Sequence, residues 1–117
     1  MSKEQEIPIE EKGQYKNISP KKDLTPGNYI IVEKTFAEGR RIEKQFSGQN
    51  KVTISYNVGV KYKDQEVSFF LKEKEHEQFV GVGQVGDRIK VVCVEKSFVN
   101  EKTRMKMVYN GVEFEKL

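Results

Sequence analysis

The segment EVSFFLKEKEHEQFVG, residues 66–81, switches from one hydrophobic period to another. In its first half Val67, Phe69 and Leu71 fall on one side and Ser68, Phe70 and Lys72 on the other, the alternation of a strand with one buried face. Its second half, 73–81, is built of helix formers with Phe79 and Val80 as a small apolar stripe, and Gly81 and Gly83 stop it. A strand followed at once by a single short helix is therefore predicted.

Upstream, VTISYNVGVKY (52–62) alternates without a break: Val52, Ile54, Tyr56, Val58, Val60 and Tyr62 share one face. Gly59 predicts a bulge or bend there, and KDQ (63–65) turns the chain into the 66–72 strand. NYIIVEKTF (28–36), rich in β-branched and aromatic residues, reads as a first strand. Downstream, VGDRIKVVCVEKSF turns at Gly86-Asp87 into a fourth strand. NEK turns again, and TRMKMVYNGVEFEKL is a fifth strand, with Asn110-Gly111 a bulge or the start of a short sixth. The order β-β-β-α-β-β predicts an all-β domain with one short helix, a five-stranded Greek-key OB-fold barrel. The place of the helix, between third and fourth strands, separates this layout from an SH3-like barrel. VGDRIKV (85–91) resembles the glycine turn that leads into the fourth strand of OB-fold domains, and the resemblance covers about residues 24–117. Residues 1–23 are charge-balanced and poor in apolar side chains. They are expected to be a flexible N-terminal arm, with Ile7, Ile9, Tyr15 and Ile18 as its only anchors.

The 117 residues are enough for one modest core. Charged residues are 33% of the chain, and the net charge is only +3, so distribution matters more than total. Between Phe36 and Lys51, four cations face Glu38 and Glu43, a balance of +2. Between Lys96 and Lys106, Lys96, Lys102, Arg104 and Lys106 face Glu101, a balance of +3. These two segments exceed the whole, so the remainder is net negative. Cys93, the only cysteine, sits in an apolar strand run and is expected to be a buried thiol. His76, the only histidine, and Glu73, Glu75 and Glu77 read as a solvated helix face. There is no zinc spacing, phosphate loop or nucleophile elbow, so no catalytic residue, metal or cofactor is expected. MSKEQEIPIEEKGQ lacks the apolar stretch of a signal peptide and no run reaches the ~20 apolar residues of a membrane span. The expected setting is intracellular and cytoplasmic, the host cytoplasm if the chain is viral, with no membrane partner.

In an OB barrel the binding groove crosses the second and third strands, walled by the loops between strands one and two and strands four and five. Here those loops are the finger 37–51 and the segment 97–102, the two electropositive stretches. Phe46 on the finger, Phe70 facing out from the third strand and Phe98 in the second loop are the candidates for stacking on unpaired bases. Arg40, Arg41, Lys44, Lys61, Lys102 and Arg104 are the candidates for phosphates, and Ser55, Asn57 and Ser68 for hydrogen bonds in the groove. No element reads as a base-reading helix, so little sequence preference is expected. In this combination the chain resembles the small single-domain single-stranded DNA-binding proteins of bacteriophages. The resemblance implies protection of single strands during replication or recombination, and contacts with the proteins of those processes. The chain ends NGVEFEKL rather than in the acidic tip that bacterial relatives of that kind use for recruitment. An open barrel edge invites a homodimer. Two other readings stay open: an RNA-binding OB domain, though the aromatic clusters of cold-shock strands are absent, and a structural or adaptor OB domain that buries Phe70 and the arm against protein.

Overall fold

The structure, a computed structural model, describes residues 2–45, 48 and 52–117. Among these are eight strands and two helices: β1 (Glu10–Lys12), β2 (Tyr15–Asn17), α1 (Pro20–Asp23), β3 (Tyr29–Lys34), β4 (Arg40–Gln45), β5 (Val52–Tyr62), β6 (Gln65–Leu71), α2 (Glu73–Gly81), β7 (Arg88–Val99) and β8 (Lys106–Lys116). They form one sheet in the order β1-β2-β6-β5-β3-β7-β8, with β4 paired to β5. The sheet is not closed, and it has eight strands where five were expected.

Most of the alternating residues make the core, but the first half of β5 does not: Val52 is exposed and Ile54 and Tyr56 are only partly buried. Ile30 and Val32 of β3, Val58, Val60 and Tyr62 of β5, Val67, Phe69 and Leu71 of β6, Ile89, Val91 and Cys93 of β7, and Val112 and Phe114 of β8 are all buried. Phe79 from α2 plugs one end, edge-on to Phe114 with ring centroids 5.4 Å apart. Burial pushes the Cys93 thiol up from its ordinary value. The β5–β6 hairpin closes in two residues, Lys63 and Asp64, both at positive φ (51° and 60°), the turn whose twist matches that of paired strands.

Three extra strands account for the difference in number. β1 and β2 form a hairpin from the segment expected to be a flexible arm. That segment packs on the sheet. Ile7 and Ile18 enter the core, the Ile7 N–H donates to Tyr62 Oη at 3.1 Å, and Asn17 pairs with Ser68 in parallel. Tyr15 stays exposed, so the anchors are the isoleucines. The third extra strand, β4, occupies six residues of the finger expected to be a loop. It pairs with β5 from Arg40↔Asn57 to Gln45↔Val52. No residue of β4 is buried, so no apolar period marks it.

The path of the sheet ends at β1 and at β8, and a seam of side chains ties β8 to the two helices. Glu75, 5% exposed, accepts the N–H of Val112 (3.0 Å) on β8 and of Lys72 (2.9 Å) at its own helix start, and pairs with Lys21 of α1. Asn110 Nδ2 donates to Lys21 O at 3.0 Å. Burial alone would raise the Glu75 carboxyl, but the hydrogen bonds from Lys21, Lys72 and Val112 outweigh it and hold it below the usual carboxylate range. Glu75 is thus not on a solvated helix face, and neither is His76. The His76 ring is 8% exposed, stacks on Tyr56 at 3.9 Å and accepts the Gly39 N–H at 2.8 Å through Nε2. The far end of α2 has no basic residue of its own. Lys34 of β3, 1% exposed, supplies one, its Nζ within 2.8–3.3 Å of the carbonyls of Phe79, Val80, Val82 and Gly83. That satisfies acceptors that a helix end leaves open. Burial pushes the Lys34 ammonium below the ordinary lysine range, against the pull of Asp87. The glycine turn docks here too: Gly86, at φ 98°, donates its N–H to Lys34 O at 2.7 Å.

Candidate nucleic-acid interface

The ladder of β4, β5 and β6 decides which side chains share the outer face of the sheet. Directly opposed residues project to the same side. Arg40, Asn57 and Phe70 therefore form one row across three strands. Ile42–Ser55 and Lys44–Thr53 lie on one side of that row, Gly59–Ser68 and Lys61–Glu66 on the other. The structure thus brings Arg40, Lys44, Lys61, Ser55, Asn57, Ser68 and Phe70 onto one face. Phe70 is 50% exposed.

Arg41 does not join them. It opposes Tyr56, whose ring lies against His76 on the inner side, and its guanidinium pairs with Glu43 two residues along the same strand. Neighbouring arginines on a loop could have acted together; on a strand they diverge. Phe46 lies outside the described residues. Among the described residues, Arg40, Lys44, Lys61, Lys102 and Arg104 make no ion pair.

The polar positions are partly engaged. Asn57 Nδ2 donates to Ser68 Oγ at 3.4 Å, and Ser68 Oγ donates to Asn17 Oδ1 at 2.8 Å. This chain of amide and hydroxyl ties β5, β6 and β2 together and fixes the floor of the face. Gly59 is not a bulge: it opposes Ser68 in register. Its missing side chain makes room for Phe36, whose Cδ2 and Cε2 lie 2.9 and 3.0 Å from where a Cβ would stand. Phe36 itself is 60% exposed.

Phe98, Lys102 and Arg104 belong to the β7–β8 hairpin. β7 runs to Val99, so Phe98 is a strand residue and not part of a 97–102 loop. The tip is 100–105, held by Asn100 N–H to Met105 O (3.0 Å) and Lys102 N–H to Asn100 Oδ1 (3.0 Å). Phe98 is half exposed and edge-on to Tyr109 at 5.9 Å. Lys72, next after β6, puts its Nζ 4.4 Å over the Tyr109 ring. Lys72 is two residues from Phe70 on the same strand line, so the hairpin's aromatic pair adjoins the end of the outer face instead of forming its opposite wall. The outer half of the hairpin also exposes Val99, Met105, Met107 and Val108.

Sequence reasoning missed Phe36, Tyr109 and Asn17. Only Phe36 left a signal: a glycine on the outward row of a strand marks a place where another group comes close. Among the described residues no group of three or more His, Cys, Asp or Glu could hold a metal ion, and no helix is long and apolar enough to cross a membrane. No family model, curated protein or solved structure matches the chain.

Proposed function

We propose that this chain binds single-stranded DNA with little sequence preference, along the outer face of β4, β5 and β6, as small bacteriophage proteins of that kind do. The observation that carries the reading is the row Arg40–Asn57–Phe70: an unpaired cation, an amide and an exposed ring aligned by strand register. Unpaired bases expose apolar faces that stack on such a ring for ~1–3 kcal/mol each, while phosphates draw cations. The row itself is built of strand residues, which suits a ligand held by backbone and stacking. The reading includes an OB-type barrel. With β3 and β4 counted as one bent strand and the β1–β2 hairpin set aside, the paired order is β6-β5-β3/β4-β7-β8, with α2 between β6 and β7. That matches the OB order third-second-first-fourth-fifth, open at the seam. The role is protection of single strands in replication or recombination, in the cytoplasm, without catalysis. A gel shift with single-stranded DNA, duplex DNA and RNA of one length, at two salt concentrations, tests it. Preferential, salt-sensitive retention of the single-stranded DNA is expected; equal or stronger retention of duplex refutes it, and stronger retention of RNA replaces the ligand.

A second reading rests on the β7–β8 hairpin, whose Val99, Met105, Met107 and Val108 are 46–62% exposed. Such a ribbon fits a protein contact, either a second copy or a replication or recombination partner. Light scattering against concentration distinguishes a homodimer from a monomer.

A further inference from the structure

Below the Arg40–Asn57–Phe70 row the outer face opens into a groove of about 330 Å³, lined by Tyr15, Lys16, Phe36, Gly59 and Ser68 among others. One of its two rings, Tyr15, comes from outside the five-strand pattern, and the other, Phe36, lies between β3 and β4. Tyr15 stands on β2, which flanks β6 on the side away from β5. Phe36 lies over Gly59 of β5. The rings therefore approach from opposite flanks of β6, with a glycine and a serine as floor between them. Tyr15 is 73% and Phe36 60% exposed, and among the described residues neither stacks on another ring. Two bare aromatics bordering one groove would ordinarily be covered by the chain itself. Here Asn17 and Ser68, hydrogen-bonded at 2.8 Å, hold β2 at a fixed distance and keep the space open.

We infer that this groove takes one unpaired nucleobase between Tyr15 and Phe36, as a subsite beyond Phe70 on the path of the same strand. The inference rests on the single-strand reading above. Volume and spacing support this occupant. The volume suits a flat ring with part of its sugar and is at the small end of ligand pockets. The missing Cβ at Gly59 lets the Phe36 ring lie close to the sheet, which sets one wall of the groove. The border carries both signs: Lys16, which reaches Gln65 at 2.9 Å and Glu11 at 3.8 Å, and Glu66, which stands opposite Lys61 of β5. Spacing agrees as well. The Phe70 row and the Gly59 row are two residues apart on β5, about 6.8 Å. That is twice the 3.4 Å rise of a stacked strand, so neighbouring bases fall on successive rows only if the strand is drawn out and unstacked. The face would therefore select single strands by extension. The β1–β2 hairpin, which also covers the sheet, acquires a second purpose in presenting Tyr15.

The test is binding of a short oligothymidylate to the full chain, read by anisotropy at several salt concentrations, for the wild type and for Tyr15→Ala, Phe36→Ala, Phe70→Ala and Arg40→Ala. An oligothymidylate carrying one 5-iododeoxyuridine is photocrosslinked in parallel and the attached peptide identified. Tyr15→Ala and Phe36→Ala should each weaken binding about 5- to 150-fold without changing the salt slope, and crosslinks should map to Tyr15 or Phe36. Both rings are exposed, so melting temperatures should hold; Phe36→Leu, which keeps the bulk but not the stacking face, should still lose affinity. If these variants bind normally while Phe70→Ala and Arg40→Ala weaken, the subsite is overturned and the single-strand reading stands. If the wild type fails to retain the oligonucleotide even at low salt, both fall. An oligouridylate arm separates RNA from DNA as the source of the base.

Discussion

Glu75→Ala should open the seam that ties β8 to α1 and α2. The carboxylate accepts two backbone N–H groups and pairs with Lys21, and alanine removes all three partners at once. Val112 N–H is buried and has no water to turn to, so its loss carries the full cost of an unmade bond, ~1–3 kcal/mol. Lys72 N–H sits at an exposed helix start and rehydrates at smaller cost. The Lys21 side chain is 27% exposed and can turn to solvent, so it adds little. The sum is roughly 2–4 kcal/mol. At about 4 °C per kcal/mol for a domain of this size, the melting temperature should fall by roughly 8–16 °C. The dependence on pH checks the cause. The folded-state pKa of Glu75 lies below its ordinary value of 4.5, so the folded chain binds fewer protons there than the unfolded one. Its contribution is complete above 4.5, and is lost as pH falls through the lower folded value. Circular-dichroism melts of wild type and variant at pH 7 should differ strongly, and at pH 3 the difference should have begun to shrink. A variant that melts with the wild type at pH 7 refutes the clamp. A difference that widens on acidification refutes its electrostatic origin.

Arg40→Ala should lower the slope of log affinity against log salt on single strands by about 0.7, one phosphate contact, whereas Arg41→Ala, on the other face of β4, should leave it unchanged; equal effects would show that strand register does not govern the site. Gly59→Ala sets stability against binding. The new Cβ displaces the exposed Phe36 ring and should weaken oligonucleotide binding several-fold in anisotropy titrations, while the melting temperature holds or rises, since alanine is favoured over glycine by ~0.5–1 kcal/mol in a strand. Ile7→Ala should cost about 2–4 kcal/mol in urea unfolding, because Ile7 is 2% exposed; a loss under about 0.5 kcal/mol, the scale of surface substitutions, would mean that the N-terminal segment contributes little to the core.

Elements with one buried face were legible in the sequence. Val67, Phe69 and Leu71, and Val58, Val60 and Tyr62, fall on the core side because alternation records burial directly. α2 was legible to the residue, since helix formers bounded by glycines leave little choice. β4 was not, because RRIEKQ turns neither face to a core and burial leaves no trace in it. The roles of Glu75 and His76 were hidden for a related reason. Polar residues on a helix read as solvated until their partners are known, and those partners are Val112, Lys21 and Gly39, far away in sequence. At the site, the outward parity of Ser55, Asn57 and Phe70 was readable from one strand at a time. The alignment of Arg40 with them was not, since it depends on the register of a strand that went unseen. Phe36 had the same difficulty: its position over Gly59 is a tertiary fact.

The seam also says something about the order of assembly. Its fastenings join residues far apart along the chain: Lys21 to Glu75 across 54 positions, Glu75 to Val112 across 37, Asn110 to Lys21 across 89. The β5–β6 hairpin, by contrast, closes through a two-residue turn. Long loops cost more entropy to close, and contacts that need them form after local ones. The hairpins should therefore be in place before α1, α2 and β8 meet. Bonds made after the transition state leave the folding rate alone and act on escape from the native state. Weakening the seam should accordingly shorten the time a folded molecule stays folded more than it slows folding.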